Sequence, residues 1–119
     1  MKKIILVISG FTLVFLFSTC SKSGSSGGTS FTVYCITVTN KPFAADINPI
    51  VQAFCNTVGC HNSGSANGPG PLTNYTQVFN ARSDIRTVIA NGTMPKNGSL
   101  STAQKNSFVC WIDSGAPNN

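Results

Sequence analysis

Several features of common protein classes are missing from this chain of 119 residues. The apolar run at residues 4–17 is too short to cross a bilayer comfortably as a mature helix. The basic residues are scattered, without a run or interleaved aromatic side chains, which argues against nucleic acid as a partner. Residues 31–39 resemble a strand, but no second segment exists to pair with them. We therefore expect these residues to form an extended N-terminal arm over a helical domain.

The N-terminal segment has the features of an export signal. Two lysines precede the apolar run, and Phe17-Ser18-Thr19-Cys20 looks like the lipobox of secreted bacterial lipoproteins. Serine and glycine then dominate and predict a flexible tether. We predict a signal peptide at 1–19, a lipidated Cys20 with its tether at 20–30, and one domain at 31–119. An ordinary signal peptide followed by a free Cys20 is the alternative.

Short helices separated by loops are predicted for the domain, which makes it all-α. Asn48 has the side chain of an N-cap, and proline follows at the first helical position. Further helices are expected to begin at Thr73 or Asn74, at Ser83-Asp84, and after a capping box at Ser101. Residues 62–72 contain three glycines and two prolines and predict a loop.

The segment Cys55-Asn56-Thr57-Val58-Gly59-Cys60-His61 holds two thiols and the only histidine of the chain. It is a two-residue expansion of the C-x-x-C-H haem attachment signature. Cys55 and Cys60 would form thioethers with the porphyrin vinyl groups, and His61 would ligate the iron. Because no second histidine exists, the other axial ligand must be a different residue, or that position is open.

The expanded spacing has a geometric consequence. Along a regular helix, residues five apart lie roughly 140° from a common face, so the two sulfurs would point apart. The backbone between the cysteines must therefore loop out. Gly59 is the residue best suited to the dihedral angles that such a loop requires.

Met94 is the leading candidate for the second axial ligand. It lies between two predicted helices, and Pro95 disfavours a helical conformation at Met94, so a loop would present the thioether. His/Met ligation raises the reduction potential relative to bis-histidine ligation. A buried methionine that fills a gap in the core is the alternative. Further candidates are Tyr75 and Trp111 for the walls of the haem pocket, and Arg82 and Arg86 for the haem propionates.

Five cysteines is an odd number for an exported chain. With Cys20 assigned to lipid and Cys55 and Cys60 to haem, Cys35 and Cys110 remain. A disulfide between these two is permitted in an oxidising compartment such as the periplasm. The alternative is that one or both are small buried hydrophobic residues.

Taken together, these residues give the chain a resemblance to class I c-type cytochromes. It looks most like the small cytochrome c-like lipoprotein domains of Bacteroidetes-type bacteria, over residues 47–61, 75–95 and 100–117. The resemblance implies a small cytochrome c-like fold of short helices and long loops around one haem c. It also implies attachment at Cys55 and Cys60, with His61 and Met94 on the iron. The standard family spacer has two residues, whereas this chain has four.

The function expected is one-electron transfer by a carrier that is not an enzyme. Its partners would be redox proteins of a membrane electron-transfer chain, and it would be lipid-anchored in the bacterial cell envelope, alone or within a larger assembly. A haem-binding or sensing module with an open sixth site is one alternative. A haem-free structural lipoprotein with a Cys55–Cys60 disulfide is another. The scarcity of acids and of histidine argues against peroxidase chemistry.

Overall fold

The computed structural model describes residues 31–119, so the predicted signal peptide, Cys20 and the tether lie outside it. The described part of the chain is helical and contains no strand, which confirms the all-α prediction. Its elements are a π-helical turn at Phe43–Ile47, followed by α1 (Asn48–Phe54), α2 (Tyr75–Asn80), α3 (Arg82–Ala90) and α4 (Thr102–Asp113).

Helix α1 begins at Asn48, as the sequence predicts, but a π-helical turn directly precedes it. Asn48 has helical dihedral angles, and its amide donates a bond to the Phe43 carbonyl in the preceding π-helical turn. The prediction that Asn48 caps this helix is therefore wrong, because its side chain instead accepts a bond from Gln52 at 3.0 Å. Pro49 does lie in the first turn of α1, where its missing amide hydrogen is tolerated.

The capping residues of the other helices largely follow the predictions. Asn74 caps α2, with its side chain accepting a bond from the Gln77 amide at 3.1 Å. Ser101 and Gln104 form a reciprocal capping box at the start of α4. Helix α3 begins at Arg82, immediately ahead of the predicted Ser83-Asp84 start, and no side chain caps it because Ala81 occupies that position.

The core is centred on α4 and on the aromatic side chains around it. Trp111 is almost fully buried and lies 5.5 Å from Phe43 and 5.9 Å from Phe108, measured between ring centroids. The indole Nε1 donates to the Pro117 carbonyl at 2.9 Å, and the Tyr75 hydroxyl donates to the Ala116 carbonyl at 2.9 Å. These two bonds fold the C-terminal segment back onto the core.

Residues 31–42 form no helix and pack across α4 as an arm. The Cys35–Cys110 disulfide joins the arm to α4, with a Cα–Cα distance of 5.3 Å, and confirms the predicted pairing. The Tyr34 amide also donates to the Asn106 side chain at 3.2 Å. Phe31 and Val33 pack against the hydrophobic core. The arm therefore covers the helical domain without adding a strand.

Candidate functional site

The backbone between Cys55 and His61 leaves the helix and forms a closed loop. The Cys55 amide still bonds to the Val51 carbonyl at 2.9 Å, and α1 then ends. The Cys60 amide bonds to the Thr57 carbonyl at 2.9 Å, and the His61 amide closes the loop on the Cys55 carbonyl at 3.0 Å. These bonds confirm that the chain loops out between the cysteines.

Gly59 has the backbone conformation expected from the spacing argument. Its φ angle is +79°, a left-handed value that L-residues with a side chain rarely adopt. A Cβ atom built at this position would meet no atom within 4 Å. The requirement for glycine is therefore conformational and does not come from crowding. Val58, next to it, is 92% exposed, so the middle of the loop faces solvent.

The two site cysteines are free thiols and are half-buried. They flank the same closed loop, and each is therefore held near His61 by short stretches of backbone. Burial raises the pKa of the Cys55 thiol to about 11, with a smaller contribution from the nearby Cys60. The Cys55 thiol is therefore protonated at neutral pH.

His61 is buried, with 8% of its surface exposed, and one ring nitrogen is committed to the backbone. Its Nδ1 lies 2.9 Å from the Gly70 carbonyl oxygen. A carbonyl can only accept, so Nδ1 carries the hydrogen and, in the neutral ring, Nε2 keeps its lone pair. This is the ring's only hydrogen bond within residues 31–119. The histidine is therefore oriented by Nδ1 and offers Nε2 as a ligand atom.

The loop at residues 62–72 folds against the Cys55–His61 loop. The Leu72 amide donates to the His61 carbonyl at 2.8 Å, and buried Leu72 fixes the end of the loop in the core. The Asn67 side-chain amide donates to two carbonyls, those of Gly59 at 2.9 Å and Cys60 at 3.1 Å. The Ser65 hydroxyl also donates to the Cys60 carbonyl.

Met94 lies in the loop that follows α3 and is half-buried. Gly92, with φ of +73°, ends the helix, and the Met94 amide donates to the Val88 carbonyl at 3.2 Å. These contacts hold Met94 against α3. No hydrogen bond joins it to the Cys55–His61 loop in the described part of the chain, so its role as an iron ligand stays a prediction.

The two arginines predicted to bind propionates have protein partners. Arg86 makes a two-pronged ion pair with Asp113 of α4, at 2.6 Å from Nε and 2.9 Å from an Nη nitrogen. The Arg82 guanidinium lies 4.0 Å from the centre of the Phe79 ring and donates to the Phe79 carbonyl. Arg86 is thus engaged in holding α3 against α4, and the propionate contacts of both arginines stay predictions.

Tyr75 and Trp111, the predicted pocket aromatics, belong to one cluster in the core. Their ring centroids lie 6.4 Å apart, and Phe43 lies 5.1 Å from Tyr75. Trp111 is 1% exposed, whereas Tyr75 is only partly buried. The structure therefore gives both side chains a role in packing, and contact with a haem stays a prediction for each.

Three contributors to this site were not found from the sequence. They are the Gly70 carbonyl and the side chains of Ser65 and Asn67, all within the loop at 62–72. Backbone carbonyls carry no residue-type signal. The polar, glycine-rich composition predicted a loop but could not say which way the loop folds.

The chain matches no family model, no curated protein and no solved structure in the three comparisons made. None of the helices described is long and apolar enough to cross a membrane. Residues 31–119 also contain no group of three or more histidine, cysteine, aspartate or glutamate side chains that could hold a metal ion.

Proposed function

We propose that this chain is a membrane-tethered monohaem c-type cytochrome that carries single electrons. The observation that carries the proposal is the bond between His61 Nδ1 and the Gly70 carbonyl, beside two free thiols in one closed loop. Histidines that ligate metals usually donate their second ring N–H to such an oxygen, which sets the tautomer and raises the basicity of the ligand.

The donor set fits a covalently held haem. A bound haem supplies an iron that changes between its ferrous and ferric states, chemistry that no side chain here offers. Cys55 and Cys60 would each add their S–H across one vinyl group, with a new S–C bond to one carbon and the hydrogen on the other. The high pKa of Cys55 keeps that thiol protonated until then. His61 Nε2 would give its lone pair to the iron.

Met94 is the proposed second axial ligand, and a thioether there would raise the reduction potential. Support comes from its position in a loop, between the end of α3 and the start of α4, where the side chain is half-buried. The remaining fold suits a small cytochrome c-like domain, because its helices are short and long loops join them. Tyr75 and Trp111 would then pack beside the haem. Arg82 would be the better candidate for a propionate, because Arg86 is already paired with Asp113.

The proposed partners are redox proteins of a membrane electron-transfer chain. Lipidation at Cys20 and the tether at 20–30 would let the domain move between donor and acceptor while it stays in the cell envelope. No substrate pocket is needed, and no enzymatic activity is proposed. Membership of a larger assembly is compatible with the same role.

Experiments can distinguish this proposal from two alternatives. A haem-binding or sensing module would share the His61 site but leave the sixth position open. A haem-free lipoprotein would require Cys55 and Cys60 to join each other, whereas both are free thiols here.

The deciding experiment is expression of the full chain together with haem-maturation machinery. After denaturation and organic extraction, haem should stay with wild-type protein and with Met94→Leu, but not with the double variant Cys55→Ala/Cys60→Ala. Haem lost from the denatured wild type would defeat covalent attachment.

Met94→Leu then tests the sixth ligand, because leucine keeps a similar volume and removes the sulfur. The expected result is loss of the sulfur-to-iron charge-transfer band of the ferric protein and a fall in reduction potential. An unaltered ferric spectrum would exclude Met94 as a ligand and favour the open-site module.

A further inference from the structure

The four-residue spacer leaves backbone carbonyls that no helix satisfies. The Gly59 and Cys60 carbonyls accept no backbone hydrogen bond in the described part of the chain, and they bond instead to side chains of the loop at residues 62–72. The Asn67 side-chain amide donates to both, at 2.9 and 3.1 Å. The Ser65 hydroxyl donates to the second. We call these two side chains the Asn67–Ser65 clamp.

We propose that the clamp positions the Cys60 sulfur and thereby makes the four-residue spacer competent for a second thioether bond. The inference rests on the proposed function. It adds a positioning role for residues that lie outside the attachment motif.

The argument concerns the two peptide planes on either side of Cys60. The Gly59 carbonyl belongs to the plane before the Cys60 Cα, and the Cys60 carbonyl belongs to the plane after it. Holding both planes fixes φ and ψ of Cys60 and therefore the direction of its Cα–Cβ bond. One side-chain amide that bonds both carbonyls thus limits the positions of the sulfur to those reached by rotation about the Cα–Cβ bond.

The same residue also connects to the histidine. The Gly70 amide donates to the Asn67 carbonyl at 3.0 Å, and the Gly70 carbonyl accepts from His61 Nδ1 at 2.9 Å. The Ser65 hydroxyl in turn accepts from the Asn67 amide at 3.1 Å. Residues 65–70 therefore contact both the backbone around Cys60 and the imidazole of His61.

The test replaces Asn67 by Asp, which keeps the shape of the side chain and its suitability for turns but removes the N–H donors. Because Asn67 is exposed and outside the hydrophobic core, the variant is expected to fold. Asn97→Asp is the matched control, since Asn97 is also exposed and makes no side-chain hydrogen bond within residues 31–119. Ser65→Ala and Ser65→Thr form a second pair, in which threonine restores the hydroxyl.

The readout is the number of thioether bonds after maturation of the full chain. It is measured by mass spectrometry of the haem peptide and by the position of the pyridine haemochrome α-band, which shifts when one vinyl group remains. We expect the ratio of singly to doubly attached haem to rise about tenfold in Asn67→Asp, because the two hydrogen bonds of its side-chain amide are lost and each contributes modestly at an exposed position. Ser65→Ala should show a smaller rise that Ser65→Thr reverses, and Asn97→Asp should match the wild type.

Hydrogen exchange of the Cys60 and His61 amides in the haem-free protein is the second measurement. Faster exchange in Asn67→Asp together with more single attachment supports the clamp. Faster exchange with unchanged double attachment overturns the positioning role, and unchanged results in both measurements overturn the clamp altogether. Wild-type protein without covalent haem would instead overturn the proposed function and this inference with it.

Discussion

The raised pKa of Cys55 gives a prediction that can be tested without any haem. In protein made without maturation machinery and with the Cys35–Cys110 disulfide intact, Cys55 should react with iodoacetamide only at high pH. Burial disfavours the charged thiolate, and a nearby Cys60 adds to the effect, which raises the pKa from 9.0 to about 11. Only the thiolate attacks iodoacetamide, displacing iodide, at an appreciable rate.

The magnitude follows from the shift. A difference of about two pKa units lowers the thiolate fraction at pH 8 by about 100-fold relative to an ordinary cysteine. Partial burial also slows access of the reagent, but that slowing is the same at every pH. The informative quantity is therefore the pH at which the alkylation rate reaches half of its maximum, and it should lie near 11.

The same shift predicts how stability depends on pH. A thiol whose pKa is higher in the folded than in the unfolded state stabilises the fold fully below the unfolded pKa and progressively less as pH rises through the folded value. From pH 7 to pH 10 this contribution should fall by roughly 1 kcal/mol. Urea titrations of wild type and Cys55→Ala isolate it, because other titrating groups are common to both proteins.

The assay follows alkylation of the Cys55 peptide by mass spectrometry between pH 7 and 11.5, in buffer and in concentrated urea. The unfolded chain should show the lower midpoint. Equal midpoints in buffer and in urea, or a stability difference between wild type and Cys55→Ala that stays constant from pH 7 to 10, would refute the reasoning.

Three other perturbations have expected outcomes in urea unfolding of the same haem-free protein. Replacing both Cys35 and Cys110 by alanine should lower the free energy of unfolding by about 4 kcal/mol, because their bond closes a loop with a sequence separation of 75; a loss below about 1 kcal/mol would contradict the loop-entropy argument. Ser101→Ala should cost about 1 kcal/mol through loss of the α4 cap, whereas Ser99→Ala outside the helix should cost almost nothing. Gly59→Ala should cost about 1 kcal/mol because of its positive φ, and Gly59→Asn should cost less because asparagine tolerates that conformation; equal costs would argue against a conformational cause.

Much of the fold could be predicted because local signals and tertiary packing agree in it. The capping box at Ser101, the Asn74 cap and the glycine after α3 are short-range devices that work within one turn of helix. The π-helical turn ahead of α1 could not be found this way. Asn48 is a good capping residue, but the chain is already helical before it. Phe43 and Ile47, at the two ends of the π-helical turn, are both buried in the core.

The candidate site shows the same contrast between features that the sequence predicts and features that it does not. The residues proposed to hold a haem, Cys55, Cys60 and His61, were found from residue type and spacing alone. Their orientation depends on the Gly70 carbonyl and the Asn67 side chain, and these act through the path of a loop. The spacing of apolar residues along the sequence carries no information on the path of a loop. The ion pair between Arg86 and Asp113 could not be predicted for the same reason. The two residues lie 27 positions apart and meet only because α3 packs on α4.

The four residues of the spacer form a backbone loop between the cysteines, and His61 is held at the end of that loop by its amide and by Nδ1. If the extra residues had extended α1, Cys60 and His61 would have been carried around the helix, and the imidazole would have turned with them. Instead α1 ends at Phe54, and the His61 amide returns to the Cys55 carbonyl, so the additional length is taken up between the two thiols. The added length lies between the two sulfurs and not at His61, which is why, for the proposed haem protein, we expect its effects in the count of thioether bonds before any effect on the iron.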